Sequence, residues 1–558
     1  MEKRIFLVFF LLFLFLLLFQ STRISPPVRE EKKEGEKVPT FTLPSLPPPV
    51  STLETDWGKI RIISWGGISS CLLSTYRERD YGKKNLLTEI KRLKSVLPRA
   101  RGEERKKIAY QIFKLEKAYE YFTRHHDKEV EIISLPQRFH LRLPPYLTYM
   151  DSRRKLLFQE GAESSYQVVQ KENKLLLKRE EGDMIIWKEF IPSSKNYLFK
   201  VRIILESKGD SLPPGVIRVS VGPGVGYPEG GRYYGYQGPV GWVEGKLARI
   251  SFPRREKGTR SEVVRYGKVD WVAVQNPYFT QTLVSRTPAE IAWFSRNEFG
   301  ENEAGIEWEY MSPGKKREVE FLLYLGPKKI NALQDVHPTL PSLVDFGYFG
   351  NLFRIIYVLN FFYRLTHNYG WSIIILTFLI NLVLFPLSWK SFHSMKMMQK
   401  LQPQIEALRK KYRDDPQKLN RELMELYRKE GINPMGGCLP LFFQMPVFFA
   451  LFTTLRSAIE LRGAPFIGWI NDLSLPDTLL TLGGFPVHVL PLLMGAATFF
   501  QQRLTTARDS RNPLLSSFMP LFLTFIFYNF PSGLVLYWLV NSILNVLEQI
   551  CVLKLTSS

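Results

Sequence analysis

A change of solvent along its length sets the limits on how this chain can fold. From Trp371 onward long apolar stretches recur, whereas residues 51 to 343 mix charge, glycine, proline and short alternating runs. The overall hydrophobic share of 45% conceals the split, because an ordinary soluble protein has the same value. Segments 371–389, 439–455, 487–500, 514–530 and 534–553 are each apolar and bounded by Trp, Tyr, Pro or charge, which predicts five membrane-spanning helices. Several fall short of the ~20 residues that cross a bilayer core, so a locally thinned bilayer is expected around them.

A sixth span is expected at the start. Met1-Glu2-Lys3-Arg4 precede fifteen consecutive apolar residues, Ile5 to Phe19, and no small-x-small cleavage site comes after them. This reads as an uncleaved signal anchor over 1–22, with a cleaved signal peptide as the alternative; in both, the basic start holds the leading end inside and the chain beyond Phe19 is exported. The loops obey the same rule. Residues 390–430 carry 11 Lys or Arg against 6 Asp or Glu, and Arg503, Arg508 and Arg511 stand with Asp509 alone. Between them, 458–485 holds Glu460, Asp472 and Asp477 against Arg462. Six spans then place both termini in the cytoplasm and the large domain outside.

Residues 23–50, charged and then proline-rich, predict an extended tether. Beyond it, 51–345 reads as a β-sandwich with strand patterns at 59–63, 129–133, 174–177, 201–204, 217–221 and 319–325. Inside lies an apparent helical insertion over about 77–128. Leu86, Ile90, Leu93 and Leu97 recur at helical spacing, as do Ile108, Ile112, Leu115, Tyr119 and Phe122 after a break at 98–102. The insertion carries 16 Lys or Arg against 8 Asp or Glu. A helix pair packed on the sandwich and a contact with acidic head groups or a partner both fit that charge.

The net charge of +22 would suit nucleic acid, but its placement in an exported segment and beside spans points to membrane surfaces instead. Cys71, Cys438 and Cys551 are isolated, and no His lies at ligand spacing to them, so neither a metal site nor a disulfide framework is expected. The glycine-rich run 222–231 lacks the Lys-Ser/Thr of a phosphate-binding loop and reads as a turn. Residues 349–365 predict an amphipathic helix on the outer surface, with Leu352, Ile355, Ile356, Leu359, Phe362 and Tyr363 on one side.

The cytoplasmic loop predicts a basic hairpin: a helix from Lys390 to Tyr412, a stop and cap at Asp414-Asp415-Pro416, and a second helix ended by Gly431. Lys390, Lys396, Lys400, Arg409, Lys410 and Lys411 give it charge. Met395, Met397 and Met398 add adaptable apolar surface suited either to varied guests or to packing within the hairpin.

These blocks resemble a known family. Asn368-Tyr369-Gly370-Trp371, Asn433-Pro434-Met435-Gly436-Gly437-Cys438-Leu439-Pro440, Gln444-Met445-Pro446-Val447-Phe448, Glu460-Leu461-Arg462-Gly463-Ala464-Pro465-Phe466 and Phe530-Pro531-Ser532-Gly533-Leu534-Val535-Leu536-Tyr537-Trp538 look like the signatures of the YidC/Oxa membrane protein insertases, in the right order over about 200 residues. Gly222-Pro223-Gly224 and Gly235-Tyr236-Gln237-Gly238 are similar to the periplasmic domain of the two-membrane bacterial form, in which the helical insertion is unusual. The resemblance implies a five-helix core in the inner membrane with a polar groove, open to cytoplasm and lipid. It implies no cofactor, no nucleotide and no enzyme activity. The partners it implies are nascent membrane proteins, the Sec translocon, ribosomes or targeting factors, and phospholipids.

Where this family usually has an Arg in its first core span, Asn381 stands here. Thr377, Asn381 and Gln444 are the groove candidates, with Tyr537 and Trp538 as substrate-facing aromatics; ordinary interhelical hydrogen bonds are the alternative for the polar three. Arg456 is a charge substitute, or else a side chain reaching the outer interface. Two other functions compete: a transporter, against which stands the near absence of carboxylates in the spans, and an anchored carbohydrate-acting protein, for which the sandwich alone argues.

Overall fold

The computed structural model describes residues 49–555 apart from 57, 64–66, 78–80, 125–128, 132–143, 161–164, 171–173, 194–196, 226–235, 253–260, 298, 414, 432–438, 483–484 and 506–512. The expected anchor, most of the tether, the histidine pair at 125 and 126, and the block 433–438 lie outside the described residues.

The exported part is built on alternation. In the strand Leu198–Ser207, Phe199, Val201, Ile203 and Leu205 are buried while the residues between them are partly exposed. It pairs antiparallel with Lys316–Pro327, Val201 opposite Phe321 and Ile203 opposite Val319. These two lie central in a nine-stranded sheet that packs on a six-stranded one, a sandwich whose core runs from Leu147 to Leu325. Gly222 opens the turn after Gly215–Val221 at φ +99°, where a Cβ would stand 2.6 Å from Asn302 O; the described part of the glycine-rich run is thus a turn.

The helical insertion does not interrupt the sandwich itself. A separate antiparallel sheet forms from Pro49–Thr55, Gly58–Ile63, Ile68–Arg77 and Glu129–Glu131, and the hairpin leaves and re-enters it between its last two strands. The hairpin's helices are α1 (Tyr81–Val96) and α2 (Gly102–Arg124). Ile90 and Leu93 of α1 and Ala109, Ile112 and Phe113 of α2 are buried, as helical spacing predicts.

A short helix, α3 (Ile330–Val336), leads out of the sandwich and buries Leu333 and Val336 with Trp271 and Tyr324. The expected amphipathic helix over 349–365 is instead two, α4 (Gly347–Phe353) and α5 (Ile355–Thr366), because Arg354 sits between them in the left-handed region at φ +49°. The break turns Leu352 outward, 59% exposed, while Ile355, Ile356 and Leu359 are buried. A residue other than Gly or Asn in that conformation carries no sequence signal.

The core helices are α6 (Tyr369–Lys400), α7 (Gln402–Lys411), α8 (Pro416–Lys429), α9 (Leu439–Ser457), α10 (Val489–Thr505), α11 (Pro513–Phe527) and α12 (Ser532–Leu555). The first span does not stop at Trp389. Its helix is 32 residues long, so Lys390 to Lys400 extend α6 and the expected basic hairpin proper begins at α7. Among the described residues, two stretches, Tyr369–Met398 and Ser532–Val552, are long and apolar enough to cross a membrane. Asp415 caps α8, accepting from Lys418 N at 3.0 Å, with Pro416 at N1 and Gly431 past the end at φ +64°.

Candidate functional site

Long apolar helices have nowhere to hide a polar side chain except against one another. On α6, Thr377 is fully buried and its Oγ1 donates back to Ile373 O at 2.7 Å, so that hydroxyl is committed to its own helix. One turn on, Asn381 is buried and its Nδ2 donates to Thr377 O at 2.9 Å and to Asn541 Oδ1 on α12 at 3.0 Å. From α9, Gln444 Nε2 donates to the Tyr537 hydroxyl and, at 3.4 Å, to the same Asn541 Oδ1. Tyr537 and Asn541 are four residues apart and share one face of α12. Three helices therefore meet at one amide oxygen.

Asn541 is the member that sequence reasoning missed. Its signal was faint, one amide between Val540 and Ser542 in a stretch read as a plain span. Among the described residues, Asn381 Oδ1, Gln444 Oε1 and Asn541 Nδ2 make no hydrogen bond, so the cluster keeps two acceptors and a donor for a guest chain or water.

The other sequence candidates lie elsewhere. Trp538 is next to Tyr537 in the chain but points about 100° away round the helix. Its ring packs against Phe448 and Phe527, both with centroids at 5.1 Å, among the partly buried apolar residues of the bundle. Arg456 lies in the last turn of α9, about 18 Å beyond Gln444 along the axis. Its guanidinium stands over Phe452 and Phe530, at 5.5 and 5.7 Å. Its carbonyl accepts from Tyr278 OH of the sandwich at 3.3 Å, which places it at the sandwich end of the bundle and away from the amide cluster.

That end is plugged by the loop between α9 and α10. Asp477 Oδ2 accepts from Val489 N and Leu490 N at 2.8 and 2.7 Å, capping α10, and from Trp469 Nε1 at 3.1 Å. Gly533 N at the start of α12 donates to Leu473 O at 2.8 Å. Gly370 at the start of α6 approaches the Phe466 ring so closely that a Cβ would lie 2.0 Å from it. At the opposite end, Met397 and Met398 pack with Leu401 and Ile405 against Leu423, Leu426 and Tyr427, while Met395 is partly buried. Lys390, Lys400, Lys410 and Lys411 are exposed and Lys396 and Arg409 partly so. No residue of α8 is buried and its Met424 is 56% exposed.

An apolar bundle with a polar cluster between its helices, a plug at one end, a basic helical extension at the other and a sandwich on the plugged side defines a helical membrane protein with an exported domain. Comparison with known proteins agrees. A family model described as the 60Kd inner membrane protein matches residues 361–558, and one for the YidC periplasmic domain matches 143–359. The membrane protein insertase YidC of Legionella pneumophila (strain Paris) is 34% identical over 397 residues, covering 69% of each chain. That of Endomicrobium trichonymphae is 42% identical over 290 residues, which is 51% of this chain and 56% of its own length. The chain thus spans a little over half the length of some of the curated relatives it matches. Among solved structures, an active YidC insertase with its first transmembrane domain resolved aligns over 89% of this chain and 91% of its own, at 18% identity and a TM-score of 0.38. The chain belongs to the YidC family of membrane protein insertases.

Proposed function

We propose that this chain inserts and helps fold integral proteins of the inner membrane, using the Asn381–Asn541–Gln444–Tyr537 cluster as a hydrated path for the polar ends of its substrates. The cluster is the observation that carries the reading. A polar chain end entering hydrocarbon leaves backbone and side-chain groups unsatisfied at several kcal/mol each. Amides that still hold bonding capacity inside an apolar bundle lower that barrier, while the substrate's apolar segment slides into lipid alongside. No nucleotide step is needed, because the substrate's final burial in lipid is itself downhill.

The path opens toward the cytoplasm and is blocked outside by the 458–485 loop. The five core helices span the membrane and a sixth span lies at the N-terminus, with both termini in the cytoplasm. The end of α6 with α7 and α8 forms a basic platform where ribosomes or targeting factors deliver nascent chains, through Lys390, Lys396, Lys400, Arg409, Lys410 and Lys411 and the methionines beside them. Delivery through a Sec-type translocon belongs to the same reading. A transporter fits less well: the five helices contain one carboxylate, Glu548, near the cytoplasmic end of α12.

The test is insertion of a small phage-coat-like protein into liposomes holding only this chain, combined with labelling of cysteines placed at 377, 381, 444 and 541 by a water-soluble reagent from the cytoplasmic side. Insertion above empty liposomes, with positions 381, 444 and 541 reactive, supports the proposal. Dry, unreactive positions in an active protein would remove the groove from it.

A further inference from the structure

The α1–α2 hairpin lies outside the segments matched by the family models, which begin at residue 143, and the insertion reading does not use it. Its position is fixed by a chain of contacts. The sandwich turn Asn276–Tyr278 touches the membrane core directly: Tyr278 OH donates to Arg456 O, and Arg462 stands over the Tyr278 and Phe279 rings at 5.5 and 5.0 Å. Asn276 Nδ2 also donates to Val225 O at 3.4 Å, and Gly224 N, one residue before, donates to Asn302 O at 3.1 Å. Asn302 comes directly after the turn that holds the hairpin. There Glu301 accepts from Tyr110 OH and Lys114 Nζ of α2, both at 3.1 Å, and Phe299 meets the Tyr110 ring with centroids at 4.0 Å. The hairpin is therefore clamped to the end of the sandwich that faces the membrane core.

Its charge is the second observation. Residues 81–124 contain 13 Lys or Arg and 5 Glu, a net of +8. With α2 fixed to the sandwich and Ile90, Leu93, Ala109, Ile112 and Phe113 buried, Lys91, Arg92 and Lys94 on α1 and Arg101 in the connection are exposed. Arg92 bonds Glu89 and Lys94 pairs with Glu116, while over the whole hairpin sequence cations outnumber carboxylates by eight. An exported positive surface held beside a membrane matches one neighbour of opposite charge, the head groups of the outer leaflet.

We propose that the α1–α2 hairpin rests on the outer leaflet and binds anionic phospholipid head groups, fixing the exported domain against the membrane. The proposal rests on the core helices spanning a bilayer and is independent of what passes through the groove.

The test uses the full chain in lipid nanodiscs with a photoreactive benzophenone side chain introduced at the exposed Ser95, and at Met311, 83% exposed on a different sandwich loop, as the control. Discs contain phosphatidylcholine with or without phosphatidylglycerol. The expected result is lipid adduct at position 95 several-fold above position 311 in anionic discs. The adduct should fall to the zwitterionic level in high salt and in the Lys91→Glu/Arg92→Glu/Lys94→Glu variant. Adduct no greater than at 311, equal yields in both lipids, persistence in high salt, or adducts to protein alone would each overturn it. The salt arm uses the otherwise unaltered chain, so a misfolded triple variant cannot decide the outcome. Insertion measured on the same discs tests the groove separately, since an inactive core with lipid-bound hairpin, or the reverse, separates the two readings.

Discussion

Asn381 and Asn541 meet amide to amide across the interface of the two longest apolar helices, Asn381 Nδ2 donating to Asn541 Oδ1 at 3.0 Å. Gln444 reaches the same oxygen from a third helix. Removing Asn541 therefore takes a shared acceptor from two donors at once, leaving Asn381 Nδ2 on Thr377 O and Gln444 Nε2 on the Tyr537 hydroxyl. Interhelical hydrogen bonds within membranes are each worth about 0.6 kcal/mol, up to about 1.7. Asn541→Leu is expected to lower the melting temperature in detergent modestly and to reduce insertion severalfold, because the path loses its central polar group. Trp538→Leu, which trims packing against Phe448 and Phe527, should lower stability with a smaller loss of insertion per degree. Melting and liposome insertion measured on both variants check this; equal activity losses at equal stability would make Asn541 a packing residue.

Asn381 offers hydrogen bonds without charge. A guanidinium there would stay protonated and present a fork of donors to a passing carboxylate. Asn381→Arg is expected to be tolerated and to raise insertion of acidic-tailed substrates severalfold, leaving neutral-tailed ones unchanged. Paired insertion assays with two tails decide it, and an unaltered substrate profile would take Asn381 out of the path.

These residues show what the sequence could and could not convey. Apolar runs and loop charge pointed to the core helices because both reflect solvent, but the charge at Lys390 is a change of polarity and not the end of a helix, so α6 runs on to Lys400. The α1–α2 pair was legible from its spacing. The small sheet that carries it was not, since its first strand starts at Pro49 inside a proline-rich stretch. Thr377, Asn381 and Gln444 stood out as polar residues in apolar segments. That Thr377 bonds its own helix, that Trp538 turns away, and that Asn541 joins the others depend on helix rotation and neighbours, which no local pattern encodes.

Within the sandwich, Lys188 and Glu160 form a fully buried ion pair, Nζ to Oε1 at 2.5 Å. Glu160 also accepts from Leu147 N and Tyr166 OH, both at 2.9 Å, and Lys188 Nζ donates to Pro145 O at 2.9 Å. Burial pushes the carboxyl up and the ammonium down, against their mutual attraction. Breaking such a pair leaves a lone buried charge at a cost of about 3–5 kcal/mol, while replacing both members is often near neutral. Lys188→Met is expected to destabilise the exported domain by that order at neutral pH and to recover partly in acid, where Glu160 is protonated. Lys188→Met/Glu160→Gln should lie close to the parent. Thermal unfolding followed by near-ultraviolet circular dichroism checks it; a double variant as weak as the single would show that the pair itself supplies the stability.

Lys328 sits where the last sandwich strand leaves for the membrane, its Nζ donating to Asn276 O at 3.1 Å and its backbone N to Tyr278 O at 2.7 Å. Burial pushes its ammonium down to about 7, with the Asp345 carboxylate nearby raising it and the Arg249 guanidinium lowering it further. The unfolded chain holds this proton up to about pH 10.4, so between about pH 7 and 10 the unfolded state binds more protons and stability from this group rises with pH. Below about pH 7 the lysine is charged in both states, and its burial penalty is present in full and no longer changes with pH. The same turn contacts Arg456 through Tyr278, so the attachment of sandwich to core is expected to tighten as pH rises from 7. Amide exchange of residues 274–280 should slow from pH 7 to 9 once the intrinsic pH dependence is divided out, and Lys328→Met should flatten the trend. A slope that persists in Lys328→Met would assign the pH dependence to another group and leave Lys328 as a spacer.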